Sequence, residues 1–338
     1  MTNSGISLSF IAAVFAALVS AFVTWAIRPV LLRVALAKPN ARSSHRIPTP
    51  QGAGIAVVAA TLLVAATVIA VATGASTNIP LMVFGATLFI AIVGFIDDIK
   101  SIDVPPRLLL QGVAVAAVVF AAPDDQRIVS ACPFWIERGL LVIAGLWFVN
   151  LVNFMDGLDL MTVAEAVPVS AAVALFGLTG EIPSSTTVAA AALCGALLGF
   201  APFNRPVAKI FLGDVGSLPI GLLLGWCLLQ LAYHGQYAAA LLLPLYYLTD
   251  ATLTLLQRMA RREPFWKAHR SHFYQQATDN GFSVLRVVGE VFALNIVLTL
   301  LAMISIRLNS AAASVLSLLV GAAAVMLLLR RFSQPRVS

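Results

Sequence analysis

Charged residues are scarce in this 338-residue sequence. Only 11% of the residues are Asp, Glu, Lys or Arg, and 60% are hydrophobic. Soluble globular domains contain about 25% charged and about 45–50% apolar residues, so the composition excludes an ordinary soluble fold. The apolar residues lie in runs of about 18–20 or more, long enough to cross a hydrocarbon layer about 30 Å thick. The sequence therefore predicts an integral membrane protein.

Cysteine is rare as well, and the three cysteines are scattered along the chain. Cys194 and Cys227 lie inside apolar runs, and Cys132 lies between two runs. This arrangement has neither the spacing of a metal site nor that of a disulfide framework. Linkers, low-complexity tracts and internal repeats are also absent from the sequence, so we expect one integral membrane domain over residues 1–338.

The apolar runs predict an all-α integral membrane fold, a polytopic bundle of about 11 transmembrane helices. Gly, Ala, Ser and Thr are frequent within the runs, as expected where helices pack closely in lipid. The predicted spans cover residues 8–27, 52–72, 79–96, 107–122, 139–152, 160–179, 186–203, 215–233, 236–256, 284–306 and 310–329.

The distribution of Lys and Arg predicts the orientation of the bundle. With the N-terminus outside, eighteen of the 21 Lys and Arg residues fall in cytoplasmic segments, and Arg127, Arg138 and Arg307 are the exceptions. Positive residues accumulate on the cytoplasmic side of membrane proteins, so we expect the N-terminus outside and the C-terminus in the cytoplasm. The net charge of +6 thus reflects topology, and nucleic acid is not an expected partner.

Acidic and amide side chains cluster in the predicted cytoplasmic segments. An acid near a helix end is commonly an interfacial residue that snorkels to water, and this interpretation remains open for each one alone. The adjacent carboxylates of Asp97 and Asp98, however, repel each other beside lipid unless a cation neutralises them. Oxygen ligands together with substrate phosphates are the usual setting for Mg²⁺. The cluster consists of Asp97, Asp98, Asn153, Asp156, Asp159 and Asp214.

Two cytoplasmic loops combine basic residues with aromatics, prolines or glycines. Such segments either lie on anionic lipid headgroups or form a clamp for phosphate groups. The sequence leaves both interpretations open. The loops span residues 38–54 and 257–283, and their candidate phosphate-binding residues are His45, Arg46, Arg270 and His272.

These residues belong to a series of motifs between about residue 38 and residue 275. In chain order the motifs are Lys38-Pro39-Asn40 with His45; Pro48-Thr49-Pro50-Gln51-Gly52-Ala53-Gly54; Phe95-Ile96-Asp97-Asp98; Asn153-Phe154-Met155-Asp156-Gly157-Leu158-Asp159; Lys209-Ile210-Phe211-Leu212-Gly213-Asp214-Val215-Gly216-Ser217; Pro244 with Asp250; and Pro264-Phe265 with His269-Arg270-Ser271-His272. The series resembles the polyprenyl-phosphate N-acetylhexosamine-1-phosphate transferase family, of glycosyltransferase family 4 type.

The resemblance implies an enzyme that transfers an N-acetylated sugar-1-phosphate from a UDP-sugar to undecaprenyl (polyprenyl) phosphate. The reaction would release UMP and form a lipid-diphosphate-sugar that initiates a cell-surface glycan such as O-antigen. Mg²⁺ is the implied cofactor, with Mn²⁺ as the alternative. The implied partners are a UDP-N-acetylhexosamine-type sugar, the polyprenyl phosphate lipid, the bacterial inner membrane and a second copy of the chain in a homodimer.

The resemblance also implies roles for individual residues. Asp97 and Asp98 match the acid pair that positions or deprotonates the lipid phosphate, and Asp98 and Asp214 are the expected metal ligands. His272 matches a catalytic-site histidine near the diphosphate, and Phe211 matches an aromatic residue that stacks on uracil. The expected substrate-binding residues are Asn153, Asp156, Asp159, Phe211, Lys209, Arg270, His45 and Arg46.

The sequence departs from the family pattern in two places. The family's loop commonly reads Asp-Arg-x-His-Leu-His-His, whereas Tyr274 and Gln275 replace the later histidines here, and Ala53 replaces a glycine. The sugar is therefore undetermined, and a phospho-N-acetylmuramoyl-pentapeptide transferase-type step of peptidoglycan synthesis is the alternative.

Two alternatives come from other classes of protein. A membrane transporter would place charges at mid-span in paired halves. A non-catalytic scaffold would explain the spans but not the convergence of acids.

Overall fold

A computed structural model describes residues 3–37, 48–73, 79–263 and 269–335. In that part of the chain, thirteen α-helices account for most residues, and two-residue strands β1 (Leu36–Ala37) and β2 (Thr49–Pro50) pair antiparallel. The helices are α1 (Asn3–Val34), α2 (Gly54–Thr73), α3 (Leu81–Ile99), α4 (Val104–Phe120), α5 (Phe134–Met155), α6 (Met161–Leu178), α7 (Ser184–Phe200), α8 (Asp214–Tyr233), α9 (Tyr237–Leu242), α10 (Leu245–Ala260), α11 (Phe273–Asp279), α12 (Val284–Leu308) and α13 (Ala311–Phe332). A 3₁₀ turn, Ala201–Phe203, follows α7.

Ten of the eleven predicted spans each coincide largely with one helix, which confirms an all-α polytopic membrane protein. Within the described ranges, nine helices are long and apolar enough to cross a membrane. The fourth predicted span is the apolar helix α4, whose 17 residues make it shorter than the others. The orientation of the bundle stays a prediction.

The predicted continuous span 236–256 is wrong, because the chain forms two helices there. The short helix α9 ends at Leu242, and α10 begins at Leu245. Pro244 lies at this junction. Proline has no N–H to donate and its ring clashes with the carbonyl four residues earlier, so it ends the first helix even in an apolar run.

Helix α8 lies at the centre of the bundle. Within the most apolar stretch of each helix, 89% of the residues of α8 are buried, against 22% for α1 and for α13. Glycines let neighbouring backbones approach α8 closely, as close packing in lipid requires. A Cβ atom on Gly54 of α2 would overlap the backbone of Gly216, and one on Gly94 of α3 would overlap the carbonyl of Asp214. The start of α2, which carries the glycine-rich motif, is thereby held against the ends of α3 and α8 that carry acidic motifs.

Arg138 fixes the opposite end of the bundle. Its side chain is fully buried, and its guanidinium donates to the carbonyl oxygens of Val119 (2.9 Å) and Pro123 (2.8 Å) and to the hydroxyl of Tyr233 (2.6 Å). The last carbonyls of a helix have no partner within the helix. Arg138 therefore satisfies the end of α4 and ties it to α8.

Replacing Gly94 by alanine tests the close packing of α3 on α8. We expect Gly94→Ala to destabilise the protein by about 1–3 kcal/mol, because the added methyl group meets backbone atoms that cannot rotate away. The thermal unfolding midpoint of the purified protein in detergent measures this effect.

Gly85→Ala is the matched control, because Gly85 lies on the same helix and a Cβ atom there has no neighbour within 4 Å. Its expected effect is within about 0.5 kcal/mol. Equal midpoints for the two variants would contradict the packing described above.

Candidate active site

The carboxylate of Asp98 joins the end of α3 to the start of α8. Its Oδ1 accepts the backbone N–H of Asp214 and its Oδ2 that of Val215, each at 3.0 Å. The first N–H groups of a helix lack partners and carry partial positive charge, so they favour a carboxylate. Gly213 precedes the helix with φ 76°, and a side chain there would collide with Asp98. Asp98 thus caps α8 and fixes the position of Asp214.

Asn153 brings the end of α5 to the same point. Its Nδ2 donates to Oδ1 of Asp214 at 2.7 Å and to Oγ of Ser217 at 2.8 Å. These bonds join the Asn153 motif to the Asp214 motif, as the sequence predicts for residues on one side of the membrane. The amide leaves its own oxygen for another ligand.

Asp97 approaches Asp214 from α3. Its Oδ1 accepts the N–H of Ile102 at 2.6 Å, and its Oδ2 forms a salt bridge with Nη1 of Arg107 at 2.8 Å. The side chains of Asp97 and Asp214 are also within hydrogen-bonding reach of each other. Two carboxylates this close repel unless they share a proton or a cation.

The pair Asp97 and Asp214 suits Mg²⁺ by the chemistry of its donors. Among the residues that the structure describes, no group of three His, Cys, Asp or Glu side chains is arranged to hold a metal ion by itself. Proteins usually hold Mg²⁺ through one or two carboxylates and complete its shell with water and substrate phosphates. Asp98 as a metal ligand stays a prediction. Both of its oxygens already accept backbone N–H groups, although each has a further lone pair.

A cavity of about 620 Å³ opens beside Asp214, between α4, α5 and α10. Its lining is partly polar and partly apolar. The polar lining includes Arg107, Asn153, Asp214, His269 and His272. The apolar lining includes Leu108, Ile143, Leu146 and Leu255. Because Ile143 is 67% exposed, the cavity reaches from Asp214 to the outer surface of the bundle.

Asp250 holds His272 at this cavity. The carboxylate of Asp250 is fully buried, and its Oδ1 lies 3.2 Å from Nδ1 of His272. It also accepts the N–H groups of Phe273 (3.1 Å) and Tyr274 (3.2 Å) at the start of α11, and the hydroxyl of Tyr246 (3.2 Å). With Nδ1 engaged, Nε2 is the nitrogen of His272 that remains for a ligand.

His269 stacks on His272, with ring centroids 5.0 Å apart. Burial lowers the pKa of His269 to about 4, and electrostatic interactions with His272 and Arg258 act in the same direction. His269 is therefore neutral near pH 7. The cavity lining thus contains His269, a neutral imidazole, next to His272, which Asp250 holds in place.

Asp156 and Asp159 shape the loops on the water-facing side of the site. Oδ2 of Asp159 accepts the N–H of Ala208 at 3.0 Å, and Oδ1 of Asp156 accepts the hydroxyl of Thr162. Burial raises the pKa of Asp156 to about 7, against the opposing effect of the Thr162 hydrogen bond. Asn204 donates to the carbonyl of Ile210 at 3.0 Å, which links two parts of the segment between α7 and α8. Both acids have structural contacts in addition to any substrate role.

Phe211 lies where two predicted motifs meet. Its N–H donates to the carbonyl of Pro50 at 2.8 Å, and its own carbonyl accepts the N–H of Gly52 at 3.1 Å. Gly52 has φ 112°, a conformation that side chains disfavour. Gln51 donates from Nε2 to the carbonyl of Asp98 at 2.9 Å. The glycine-rich loop therefore packs against the acidic site.

Most of the predicted substrate residues do not line the cavity. Among those that the structure describes, Asn153 lines it, whereas Asp156, Asp159, Lys209, Phe211 and Arg270 do not. Arg270 forms a salt bridge with Asp279 at 2.9 Å, and Lys209 is exposed. His45 and Arg46 lie outside the described residues.

The sequence analysis assigns no role in the site to Arg107 and Asp250, although the structure places both of them there. Arg107 lines the cavity and pairs with Asp97, but in the sequence it is only one of the cytoplasmic cations. Asp250 belongs to one of the family motifs. An acid within an apolar run is the signal that could have indicated its specific role. The partner of neither residue can be read from sequence spacing.

Comparison with known proteins identifies the family. The profile described as "Glycosyl transferase family 4" matches residues 80–232. A decaprenyl-phosphate N-acetylglucosaminephosphotransferase of Mycolicibacterium smegmatis is 30% identical over 329 residues, which cover 85% of this chain and 80% of the relative. The chain belongs to glycosyl transferase family 4. The resemblance stated from the motifs is thereby confirmed.

Other relatives of this family 4 chain are named for two different activities. A probable undecaprenyl-phosphate N-acetylglucosaminyl 1-phosphate transferase of Bacillus subtilis is 26% identical over 306 residues, 83% of each chain. A phospho-N-acetylmuramoyl-pentapeptide-transferase of Rhodopseudomonas palustris is 28% identical over 270 residues, 68% of this chain and 72% of the relative. The N-acetylglucosaminyl 1-phosphate transferase matches more of this chain than the pentapeptide transferase does.

Asp250→Asn tests whether Asp250 acts by holding His272. The amide turns one acceptor into a donor that faces backbone N–H groups, and a lost hydrogen bond to a charged group costs about 1.5–3 kcal/mol. We expect kcat of this family 4 chain to fall about 10- to 100-fold. The measurement is steady-state turnover of Asp250→Asn, His272→Asn and the double variant.

A positioning role predicts that the double variant is no slower than His272→Asn alone, because the two residues act as one unit. Independent losses that multiply would contradict it. Asp124→Asn, at an exposed acid of the opposite end, is the control for general effects of removing a charge.

Proposed function

We propose that this protein transfers an N-acetylhexosamine-1-phosphate from a UDP-sugar to a polyprenyl phosphate. It is a phosphotransferase of glycosyl transferase family 4, and relatives that match over more than four fifths of the chain carry the names of N-acetylglucosamine-phosphate transferases. Family membership favours an enzyme over a transporter or a scaffold. The buried Glu165 of α6 is hydrogen-bonded to Asn295 of α12 at 2.6 Å, which fits a contact between helices.

The cavity between α4, α5 and α10 carries this proposal. Its lining combines Asp214, an arginine and two histidines with aliphatic side chains, one of which, Ile143, is exposed on the surface of the bundle. A ligand with a phosphate head and a long hydrocarbon tail matches both kinds of lining. A soluble sugar phosphate alone would leave the aliphatic lining without a partner.

The proposed reaction is an attack by an oxygen of the lipid phosphate on the β-phosphorus of the UDP-sugar. A new P–O bond forms there, the bond from the β-phosphorus to the oxygen shared with the α-phosphorus breaks, and UMP leaves with that oxygen. Both reactants are anions, so positioning and neutralisation of charge supply most of the catalysis. Arg107 lies where it can bind the lipid phosphate, and His272 as an imidazolium can donate from Nε2 to a phosphate oxygen.

Asp97 and Asp214 would hold Mg²⁺, or Mn²⁺ as the alternative, which when bound neutralises the two phosphates and lets them approach. Asp98 contributes by fixing Asp214 at the start of α8. Asn153 orients the same carboxylate through its amide. Asp156, Asp159 and Phe211 are proposed to bind the nucleotide. The roles of Arg270, Lys209, His45 and Arg46 at the substrate remain predictions.

We further propose N-acetylglucosamine-type sugars as donors and the bacterial inner membrane as the location. The relatives named for N-acetylglucosamine cover more of this chain than the named pentapeptide transferase. A product that initiates O-antigen, and a homodimer, remain predictions.

A donor panel tests the proposed reaction. The purified protein receives undecaprenyl phosphate, Mg²⁺ and one of UDP-N-acetylglucosamine, UDP-N-acetylgalactosamine or UDP-N-acetylmuramoyl-pentapeptide. We expect UMP release with the first donor, dependent on both lipid and metal, and a lipid-diphosphate-sugar detected by mass spectrometry. Turnover with the pentapeptide donor alone would overturn the proposed sugar, and none with any donor would overturn the reaction.

Asp214→Asn tests the proposed metal-binding acid. We expect kcat to fall about 10²–10³-fold or more, with the half-saturating Mg²⁺ concentration raised and membrane insertion unchanged. Asp103→Asn is the matched control, because Asp103 lies in the loop after α3 and its side chain is exposed and caps no N–H. Equal turnover of the two variants would remove Asp214 from the mechanism.

A further inference from the structure

A second cavity, of about 690 Å³, lies between the start of α12 and the end of α13. The charged residues Arg286, Glu290 and Arg331 line it, as does the ring of Phe282, and its apolar wall includes Leu294 and Leu327. The proposed reaction uses none of these residues. The cavity therefore needs its own explanation.

The two arginines of this cavity are held in fixed positions. Nε of Arg286 lies 3.0 Å from Oε1 of Glu290, and Nε of Arg331 lies 2.9 Å from Oε2 of the same carboxylate. Both guanidinium groups also lie over the ring of Phe282, at 5.5 and 5.6 Å. One carboxylate neutralises only one of two cations, so the cluster has a net charge of +1. Each guanidinium has five N–H donors, and Glu290 occupies only some of them.

The cluster lies at the membrane face that carries the acidic site. The hydroxyl of Tyr274 on α11 donates to the carbonyl of Phe154 beside the site, at 3.0 Å. Asn280, just after α11, donates to the carbonyl of Phe332 at the end of α13, at 2.8 Å. Arg286 stands in the first turn of α12 and Arg331 in the last turn of α13. Both cations thus lie at the depth where lipid headgroups meet the ends of helices.

The apolar wall faces the hydrocarbon side. Leu327 is 68% exposed, whereas Leu294 is buried behind it between the two helices. A cleft with an excess positive charge at the interface and leucines below it matches an anion attached to a hydrocarbon chain. Clusters of Lys and Arg at the membrane surface attract anionic lipids by about 1 kcal/mol per cation. Arg286 and Arg331 together therefore favour anionic over zwitterionic lipids.

We propose that this cleft binds an anionic phospholipid of the leaflet that contains the active site. Its phosphate binds Arg286 and Arg331, and one acyl chain lies along Leu294 and Leu327. The charge excess favours a lipid with net negative charge over a zwitterionic one. Because the fixed arginines come from α12 and α13, a bound lipid joins these peripheral helices.

Native mass spectrometry of the full-length protein tests this proposal, with phosphatidylglycerol, phosphatidylcholine and inorganic phosphate as probes. We expect phosphatidylglycerol to bind more tightly than phosphatidylcholine, and inorganic phosphate not to compete, since it lacks the chain. Arg331→Gln should weaken phosphatidylglycerol binding about 5-fold, and Arg286→Gln with Arg331→Gln about 25-fold. Arg330→Gln, the adjacent cation that does not line the described cavity, is the control.

Each other outcome overturns the proposal. Equal binding of phosphatidylglycerol and phosphatidylcholine would remove the role of charge, and equal loss in Arg330→Gln would show general surface attraction. Tighter binding of undecaprenyl phosphate than of phosphatidylglycerol, lost in the double variant, would assign the cleft to the substrate instead. If the double variant does not fold, Arg331→Gln alone decides the test, because its side chain is half exposed. The readout is independent of turnover, so it stands apart from the proposed reaction.

Discussion

The bond between the carboxylate of Asp98 and the start of α8 is the contact on which the site depends. It gives two unpartnered N–H groups an acceptor, and it places Asp214 at the end of α3, next to Asp97. Glycines at positions 54, 94, 213 and 216 allow the three helix ends to approach closely enough for this. The most buried of the candidate spans thus begins with Asp214, the acid that we propose as a metal ligand.

The electrostatic problem of the reaction explains why so many polar groups converge there. Two phosphate anions must touch beside a medium of low dielectric constant, where repulsion is strong. Carboxylates alone would increase this repulsion, which is why we propose a divalent cation between them. Arg107, held by Asp97, and His272, held by Asp250, add fixed donors around the same point. Fixed donors need little reorganisation during the reaction.

Much of this arrangement follows from the sequence, and the exceptions have physical causes. Runs of apolar residues predict the helices, and acids at their ends predict Asp97, Asn153 and Asp214 in one place. Hydropathy averages over Pro244, so it misses the break between α9 and α10. The partners of Arg107 and Asp250 depend on how helices pack, which residue spacing does not encode. The cap formed by Asp98 also needs the three-dimensional arrangement, because 116 positions separate it from Asp214.

Electron paramagnetic resonance of bound Mn²⁺, with the UDP-sugar present, tests the central claim most directly. The claim is that Asp97 and Asp214 hold a divalent cation which also contacts substrate phosphate. It predicts a bound Mn²⁺ signal with coupling to phosphorus-31 in the native protein, and loss of that signal in Asp214→Asn. Bound Mn²⁺ with the same phosphorus coupling in Asp214→Asn, or no bound Mn²⁺ in the native protein, would contradict it.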